Sequence, residues 1–370
     1  MTSLTRLAEV VDVVIGVDTH VGTHSAALVA AGTGGVVEEL SIPATGQGYA
    51  ELVDWADDLT EEHGALRAWA IEGTGSHGAG LARYLGERGE IVIELDRPER
   101  AKRRNGAKSD PLDAIRAARE ALARTRVGTP RQGAERQALA VLLAARRSAV
   151  AAAGVAQRQV FSLVIAAPEP IRDRFRGQKL KAMVTTAAAM RIHPSWDLET
   201  TTTVTVLRNL ARRARTLQAE ADDYEKQLRA IIKAWRPDLL DQVGIGPIVA
   251  AVVLCAWSHP GRIHSESGFA MLAGVAPIQA TSGQVTNRHR LNRYGDRQLN
   301  RALHTIAITR QRRHQPTRDY TERRTREGKN PREIRRCLKR YIARDVFRLL
   351  EHRQPLDATW ERPRWPISGT

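Results

Sequence analysis

The strongest constraint on the fold is a run of apolar residues spaced alternately by three and four positions in the middle of the chain. This spacing continues for more than three heptads, as in a coiled-coil seam, through Leu207, Leu210, Ala214, Leu217, Ala221, Tyr224, Leu228 and Ile231. An earlier series keeps the same register, interrupted at Arg146, through Leu139, Leu142, Ala149, Ala153, Ala156, Val160 and Leu163. The pattern predicts two long helices that pair with each other or with another subunit. A plain amphipathic pair within a helical bundle fits equally well.

The part of the chain before Pro111 has a different texture, in which short apolar runs alternate with helical spacing. We predict strands over 11–18, 25–29, 36–41, 68–71 and 91–95, and helices over 48–59, 81–88 and onward from Pro111. Three strands followed by helix, strand, helix, strand and helix is the order of an α/β domain of the RNase H-like (RuvC-like) type. Beyond Asp238 the pattern predicts a mainly α-helical region that ends in a basic helical tail from Asp296 to about Leu350.

The charge balance indicates a polyanionic partner. Lys and Arg together number 57 against 41 Asp and Glu, which gives a net charge of +16 and a pI near 10.6. Nucleic acid is the commonest partner of such a chain, although a basic surface that only aids solubility is the alternative.

Other features of the sequence argue against several classes of protein. Cys255 and Cys337 lie far apart in the sequence, which argues against a zinc motif and against a disulfide framework. The sequence has no run of about 18 or more apolar residues, so no transmembrane helix is expected. We expect a cytoplasmic bacterial protein that associates with the nucleoid when active.

Four carboxylates stand at the ends of the predicted elements. Asp18 ends the first strand, Glu72 follows the fourth, and Asp110 and Asp113 open the helix at Pro111. In an RNase H-like arrangement these positions converge, and clustered carboxylates are the ligands that hard divalent ions use in phosphoryl transfer. Each also has a structural alternative, because Asp110 suits a helix N-cap, Asp113 complements the helix dipole and Asp18 suits a turn.

A second candidate site lies in the polar segment after the apolar stretch LAGVAP. Ser282 precedes Gly283 and is followed by three cations, Arg288, Arg290 and Arg293. A serine hydroxyl can attack a phosphate, and arginines can offset charge on the phosphoryl group. Taken alone, a Ser-Gly pair in a loop usually marks a turn.

Two further sets of residues are candidates for nucleic-acid contacts. Gly244 and Gly246 lie in VGIGP between apolar helices, which resembles a helix-hairpin-helix whose backbone N–H groups approach a phosphate. An ordinary helix–helix turn is the alternative. Arg103, Arg104 and Lys108 form a basic stretch just before the Asp110 segment.

Taken together, these motifs resemble the IS110 group of insertion-sequence transposases, over roughly residues 12–350. The amino-terminal part looks like that group's RuvC-like DEDD domain, with IGVDTH, AIEGTGSHGAGLARYL and KSDPLDA. The carboxy-terminal part looks like its second transposase domain, with VGIGPIVAA, SESGFAMLAGVAP, TSG and RYGDRQLNRAL. The departures are small: Asp296 stands where Asn is expected, and either residue can cap a helix.

The resemblance implies a set of functional residues and partners. Asp18, Glu72, Asp110 and Asp113 match the DEDD metal-binding set, and Ser282 matches the serine that forms a covalent phosphoserine link. The implied cofactor is Mg²⁺, and the implied partners are double-stranded donor and target DNA, a structured noncoding guide RNA (the bridge RNA) and further copies of the chain, as a dimer or tetramer. In the family, the RuvC-like site of one subunit joins the serine-bearing domain of another.

We therefore expect an RNA-guided DNA recombinase. The expected division is a RuvC-like DEDD domain over 1–128, a helical coiled-coil region over 129–236, a serine-bearing transposase domain over 237–353 and a tail over 354–370. Two alternatives stay open. A RuvC-like structure-specific nuclease would use the same acids with water as the nucleophile, and a non-catalytic nucleic-acid-binding scaffold would use the acids only as caps and turns.

Overall fold

The computed structural model describes residues 6–61, 66–95, 110–279, 289–292 and 294–352. The chain divides into two compact units, an amino-terminal unit over Met1–Gln132 and a carboxy-terminal unit over Gly133–Thr370. Each unit has its own hydrophobic core. The finer division within the second unit stays a prediction.

The amino-terminal unit is a five-stranded mixed sheet with helices. Its elements in chain order are β1 (Val13–Thr19), β2 (Thr23–Ala30), β3 (Val36–Pro43), α1 (Gly46–Glu61), β4 (Arg67–Glu72), α2 (Ala79–Glu87), β5 (Val92–Leu95) and α3 (Asp110–Ala123). The strand order is β3-β2-β1-β4-β5. The first three strands are antiparallel, whereas β4 and β5 run parallel to β1. This arrangement fits the expected α/β RNase H-like domain.

Helices cover both faces of this sheet, which explains why β1 is apolar at nearly every position. Ile15 and Val17 of β1 pack with Trp69 and Ile71 of β4 against α1 and α2. The alternate positions, such as Val14, pack against α3 on the other face. The period of two along each strand therefore decides which residues face α3.

Two long helices dominate the first part of the carboxy-terminal unit. They are α4 (Ala134–Ala166) and α7 (Leu198–Trp235), with the shorter α5 (Glu169–Arg172) and α6 (Leu180–Ala189) between them. Leu139 near the start of α4 shares a core with Leu228 near the end of α7, whereas Val160 shares one with Leu207. The two helices are therefore antiparallel, and residues of both predicted apolar series lie between them. Pro168 follows the end of α4 and fits its termination, because proline cannot continue a helix.

The rest of this unit is mainly helical. Its elements are α8 (Pro247–Trp257), α9 (Glu266–Leu272), the short strands β6 (Pro277–Gln279) and β7 (His289–Leu291), α10 (Arg297–Arg313), α11 (Gln315–Arg326) and α12 (Pro331–His352). Asp296 caps α10, as predicted, by accepting bonds from the backbone N–H groups of Gln298 and Leu299. The basic tail is thus three helices. It breaks at His314, whose backbone is extended, and at Gly328, whose φ of +82° ends α11.

Of the residues described, only α4 is long and apolar enough to cross a membrane, and 22% of its apolar window is buried within the chain. One such helix is weak evidence for a membrane span, because a core helix of a globular protein passes the same test. Arg158 lies within that stretch and α4 packs along α7.

Candidate functional site

Asp18 and Glu72 lie side by side at the carboxyl ends of two neighbouring strands. The parallel register pairs Val17 of β1 with Ile71 of β4, so the next residue on each strand is one of the two acids. Neighbouring strands lie about 4.8 Å apart. Because side chains alternate along a strand, both acids point to the face that α3 covers. The predicted convergence of the first and fourth strands is therefore present for these two residues.

Helix α3 approaches this face unusually closely, at Gly16. A Cβ atom built on Gly16 would lie 2.0 Å from the carbonyl oxygen of Ala114 and 2.6 Å from the backbone nitrogen of Ala118. The later residues Ala117, Ala118 and Ala121 share a core with Val11 and Val14, near the start of β1. The start of α3, which carries Asp113, therefore points toward the end of β1 that carries Asp18.

Asp18 and Asp113 each have a side-chain partner at this site. Asp18 Oδ2 lies 3.2 Å from His20 Nε2, and its side chain is 14% exposed. Asp113 Oδ1 accepts a 2.7 Å hydrogen bond from Arg116 Nη1, one helical turn away. The Thr19 hydroxyl donates to the backbone carbonyl of Glu72 at 3.0 Å, which ties the ends of β1 and β4 together.

A group of histidines near Asp18 was not anticipated from the sequence. His24 on β2 is fully buried and stacks on Tyr49, with its Nδ1 3.0 Å from the carbonyl oxygen of Thr23. Burial lowers the pKa of His24, and the charges of His20 and His77 add to this. For His20, the motif VDTH contained the signal, because a residue two positions after Asp18 lies on the same side of an extended chain.

The donor chemistry of this region suits a hard divalent ion. Asp18, Glu72 and Asp113 supply carboxylate oxygens from three elements at one end of the sheet, as Mg²⁺ or Mn²⁺ prefers. Among the described residues, however, no three His, Cys, Asp or Glu side chains form a group that could hold a metal ion. Asp113 would have to exchange Arg116 for the ion, and the side chain of Asp110, at the first position of α3, lies outside the description.

The predicted serine site lies largely outside the described residues, as do Ser282, Arg288 and Arg293. The strands on either side of it are described: β6 and β7 form a short antiparallel pair in which Ile278 is opposite Arg290, and Arg290 is exposed. The basic residues Arg103, Arg104 and Lys108 also lie outside the description. All these assignments stay predictions.

The two glycines of VGIGP have different surroundings. Gly244 adopts a φ of +90°, and a Cβ there would meet the Ile306 backbone at 3.2 Å, so glycine at this position allows the turn to pack on α10. Gly246 is exposed at the start of α8, with open space where a Cβ would be. Packing therefore accounts for Gly244, and a phosphate contact stays a prediction for Gly246.

Comparison with known protein families gives two matches, in the same order as the two motif sets. A model of DEDD transposases of the IS110 type matches residues 15–164. A model described as the transposase IS116/IS110/IS902 family matches residues 238–322. No curated protein sequence matches the chain significantly. The first match contains Asp18, Glu72, Asp110 and Asp113, and the second contains Ser282.

Proposed function

We propose a reaction mechanism for this chain, which belongs to the IS116/IS110/IS902 family of transposases. The chain is therefore an enzyme that recombines DNA by phosphoryl transfer, and its DEDD domain implies the use of a divalent metal. The observation that best supports the mechanism is the placement of Asp18 and Glu72 on adjacent parallel strands, facing the helix that carries Asp113.

In the proposed reaction the Ser282 hydroxyl attacks the scissile phosphate. The Ser282 Oγ–P bond forms as the bond from phosphorus to the 3′-oxygen breaks, and the serine proton leaves to solvent while the 3′-oxygen becomes a hydroxyl. A hydroxyl from another strand then attacks the phosphoserine, which reforms a phosphodiester and frees Ser282. Arg288, Arg290 and Arg293 offset the negative charge that develops on the phosphoryl group.

Asp18, Glu72, Asp110 and Asp113 are proposed to hold the divalent ion. Bound there, Mg²⁺ would supply Lewis-acid polarisation of the phosphate. These four carboxylates would otherwise repel one another at close range. Arg116, the partner of Asp113, offsets part of this repulsion.

We propose that a structured RNA directs the choice of DNA sites. In this arrangement, base pairing between RNA and DNA selects the sequence and the protein binds the backbones. The net charge of +16 supports the proposal, because phosphate contacts are sequence-independent. Arg103, Arg104, Lys108 and the backbone of Gly246 are proposed as such contacts.

We also propose that the active form is a homo-oligomer. One side of α4 carries exposed apolar side chains, at Val150 (40% exposed), Phe161 (45%) and Ile165 (58%), which helical spacing places within about 60° of one another. An apolar surface of this kind on a long helix is typical of subunit interfaces. The mass of the nucleic-acid-bound protein in solution tests this, and the mass of one chain would contradict it.

Ser282→Ala is expected to abolish covalent attachment of the protein to DNA. The assay is a denaturing gel with labelled DNA carrying the matching sites, the element's flanking RNA and Mg²⁺. Wild type should give a protein–DNA adduct, whereas Ser282→Ala and Asp113→Ala should give none, because the first lacks the attacking oxygen and the second a proposed metal ligand. Cleavage without an adduct, unchanged in Ser282→Ala, would contradict the mechanism and indicate a nuclease that uses water.

A further inference from the structure

Several charged residues of α12 hold the helix in place through ion pairs with neighbouring helices. Arg340 and Arg348 both reach Glu266 of α9, at 3.4 Å and 3.7 Å. Asp345 lies 3.7 Å from the buried Arg310 of α10. Arg310 also donates to the carbonyl oxygen of Val243 at 3.1 Å. These cations have carboxylate partners within the fold.

Four neighbouring basic residues differ from these, because they have no carboxylate partner among the described residues. They are Arg335, Arg336 and Lys339 of α12 and His304 of α10, and we refer to these four residues as the cation cluster. Lys339 Nζ donates to Asn300 Oδ1 at 2.9 Å, and Arg335 Nε donates to the backbone of Pro331 at 3.1 Å. Both acceptors are neutral, so no described carboxylate offsets the charge of Lys339 or of Arg335.

The electrostatics of the cation cluster reflect this. Burial lowers the pKa of His304, and the charges of Lys339 and Arg335 lower it further. Burial also lowers the pKa of Lys339, with a contribution from Arg336. Among the described residues, no acid contributes to the pKa shift of either group. Neighbouring cations that are partly buried, as Arg335 and Lys339 are, repel one another and are unfavourable unless an anion accompanies them.

Asn300 connects the cation cluster to the segment that leads into the β6–β7 pair, which we call the serine-bearing hairpin because Ser282 lies between the two strands in the sequence. Its Nδ2 donates to the carbonyl oxygens of Ala273 at 2.7 Å and Gly274 at 3.3 Å. Gly274 packs against Gly295 so closely that a Cβ on Gly295 would lie 2.2 Å from the Gly274 nitrogen. These two glycines lie just before β6 and just after β7. The cluster is thus tied, through one amide, to the segments that flank β6 and β7, and Ser282 lies between these two strands in the sequence.

We propose that the cation cluster binds a backbone phosphate of the nucleic-acid strand engaged by the serine-bearing hairpin. This deepens the proposed function and rests on it, since it adds a positioning contact for the same strand. Lys339 and Arg335 supply the charge, and Asn300 orients the Lys339 ammonium. Phosphate groups of DNA and of RNA share this chemistry, and separate probes distinguish them.

The test is the salt dependence of binding, measured by fluorescence anisotropy in EDTA so that no strand is cut. The probes are a labelled DNA duplex and, separately, the element's flanking RNA. For Lys339→Gln the slope of log binding constant against log salt should fall in magnitude by about 1 on the probe that supplies the phosphate. Affinity should fall about tenfold at physiological salt, within the usual range for one charged contact.

Arg348→Gln is the matched control, because it removes the same charge from the same helix while Glu266 keeps Arg340. It should leave the slope unchanged, and Lys339→Arg should restore the wild-type slope. Arg335→Gln replaces Lys339→Gln if the latter lowers the melting temperature. If Lys339→Gln gives the same slope as Arg348→Gln on both probes, the proposal is overturned. If Lys339→Gln lowers the slope but wild type forms no covalent adduct in the denaturing-gel assay, only the phosphoserine mechanism is contradicted.

Discussion

Asp18→Asn is expected to reduce DNA cleavage and adduct formation by about a thousandfold or more, since removing one member of a catalytic set typically costs several powers of ten. Asp18 is the acid that the fold fixes most firmly: it ends a strand paired on both sides, and its side chain is 14% exposed. Asparagine preserves the size of the side chain but removes the anionic oxygen that a hard cation requires. The initial rate of adduct formation at saturating DNA measures the effect.

Asp54→Asn provides the control for this variant. Asp54 is an exposed carboxylate on α1, so the substitution makes the same change in charge within the same unit. It should leave the rate within about twofold, as expected for a surface change. Equal rates for wild type and Asp18→Asn would mean that Asp18 serves only as a turn residue.

Gly16→Ala is expected to destabilise the amino-terminal unit by about 3 kcal/mol or more, at or above the upper end of overpacking costs. The added methyl would lie 2.0 Å from the Ala114 carbonyl oxygen and 2.6 Å from the Ala118 nitrogen. Both are backbone atoms of α3, so no side-chain rotation relieves the clash and the helix must move. Asp113 immediately precedes Ala114, so the same movement should also lower the rate of adduct formation.

Hydrogen exchange of the amides in β1 and α3 measures this loss of stability within the intact chain. Gly22→Ala is the control, because Gly22 is exposed and has open space around a new Cβ. It should leave the protection of those amides unchanged. Wild-type protection in Gly16→Ala would show that α3 does not pack on β1 as described.

The elements of the amino-terminal unit were predictable from the sequence, because each depends on a local apolar pattern. The strand VDVVIGVD is apolar at nearly every position since α1, α2 and α3 cover both of its faces. The break of the basic tail at His314 and Gly328 was not predicted. Because arginine favours the helical conformation, an arginine-rich segment is predicted as one continuous helix. The single extended residue that separates two such helices leaves only a weak local signal.

The contacts of the candidate sites were less predictable, because they join residues distant in sequence. Nothing in the sequence distinguishes Arg335 from Arg340, which lie on one helix and differ only in that Arg340 reaches Glu266. The burial of His24 likewise depends on Tyr49 of α1. By contrast, the adjacency of Asp18 and Glu72 followed from the expected strand order, since parallel neighbours bring their carboxyl ends to one edge.

The most direct test of the central claim, that these acids form one metal site, is cleavage mapping with Fe²⁺ bound in place of the native ion. With ascorbate and peroxide, bound iron generates radicals that cut the nearby backbone, and the fragments are identified by mass spectrometry. Cuts should fall near Asp18, Glu72 and Asp113, disappear with excess Mg²⁺ and be absent in Asp18→Asn. Cuts confined to other parts of the chain, or cuts that persist in Asp18→Asn, would contradict it.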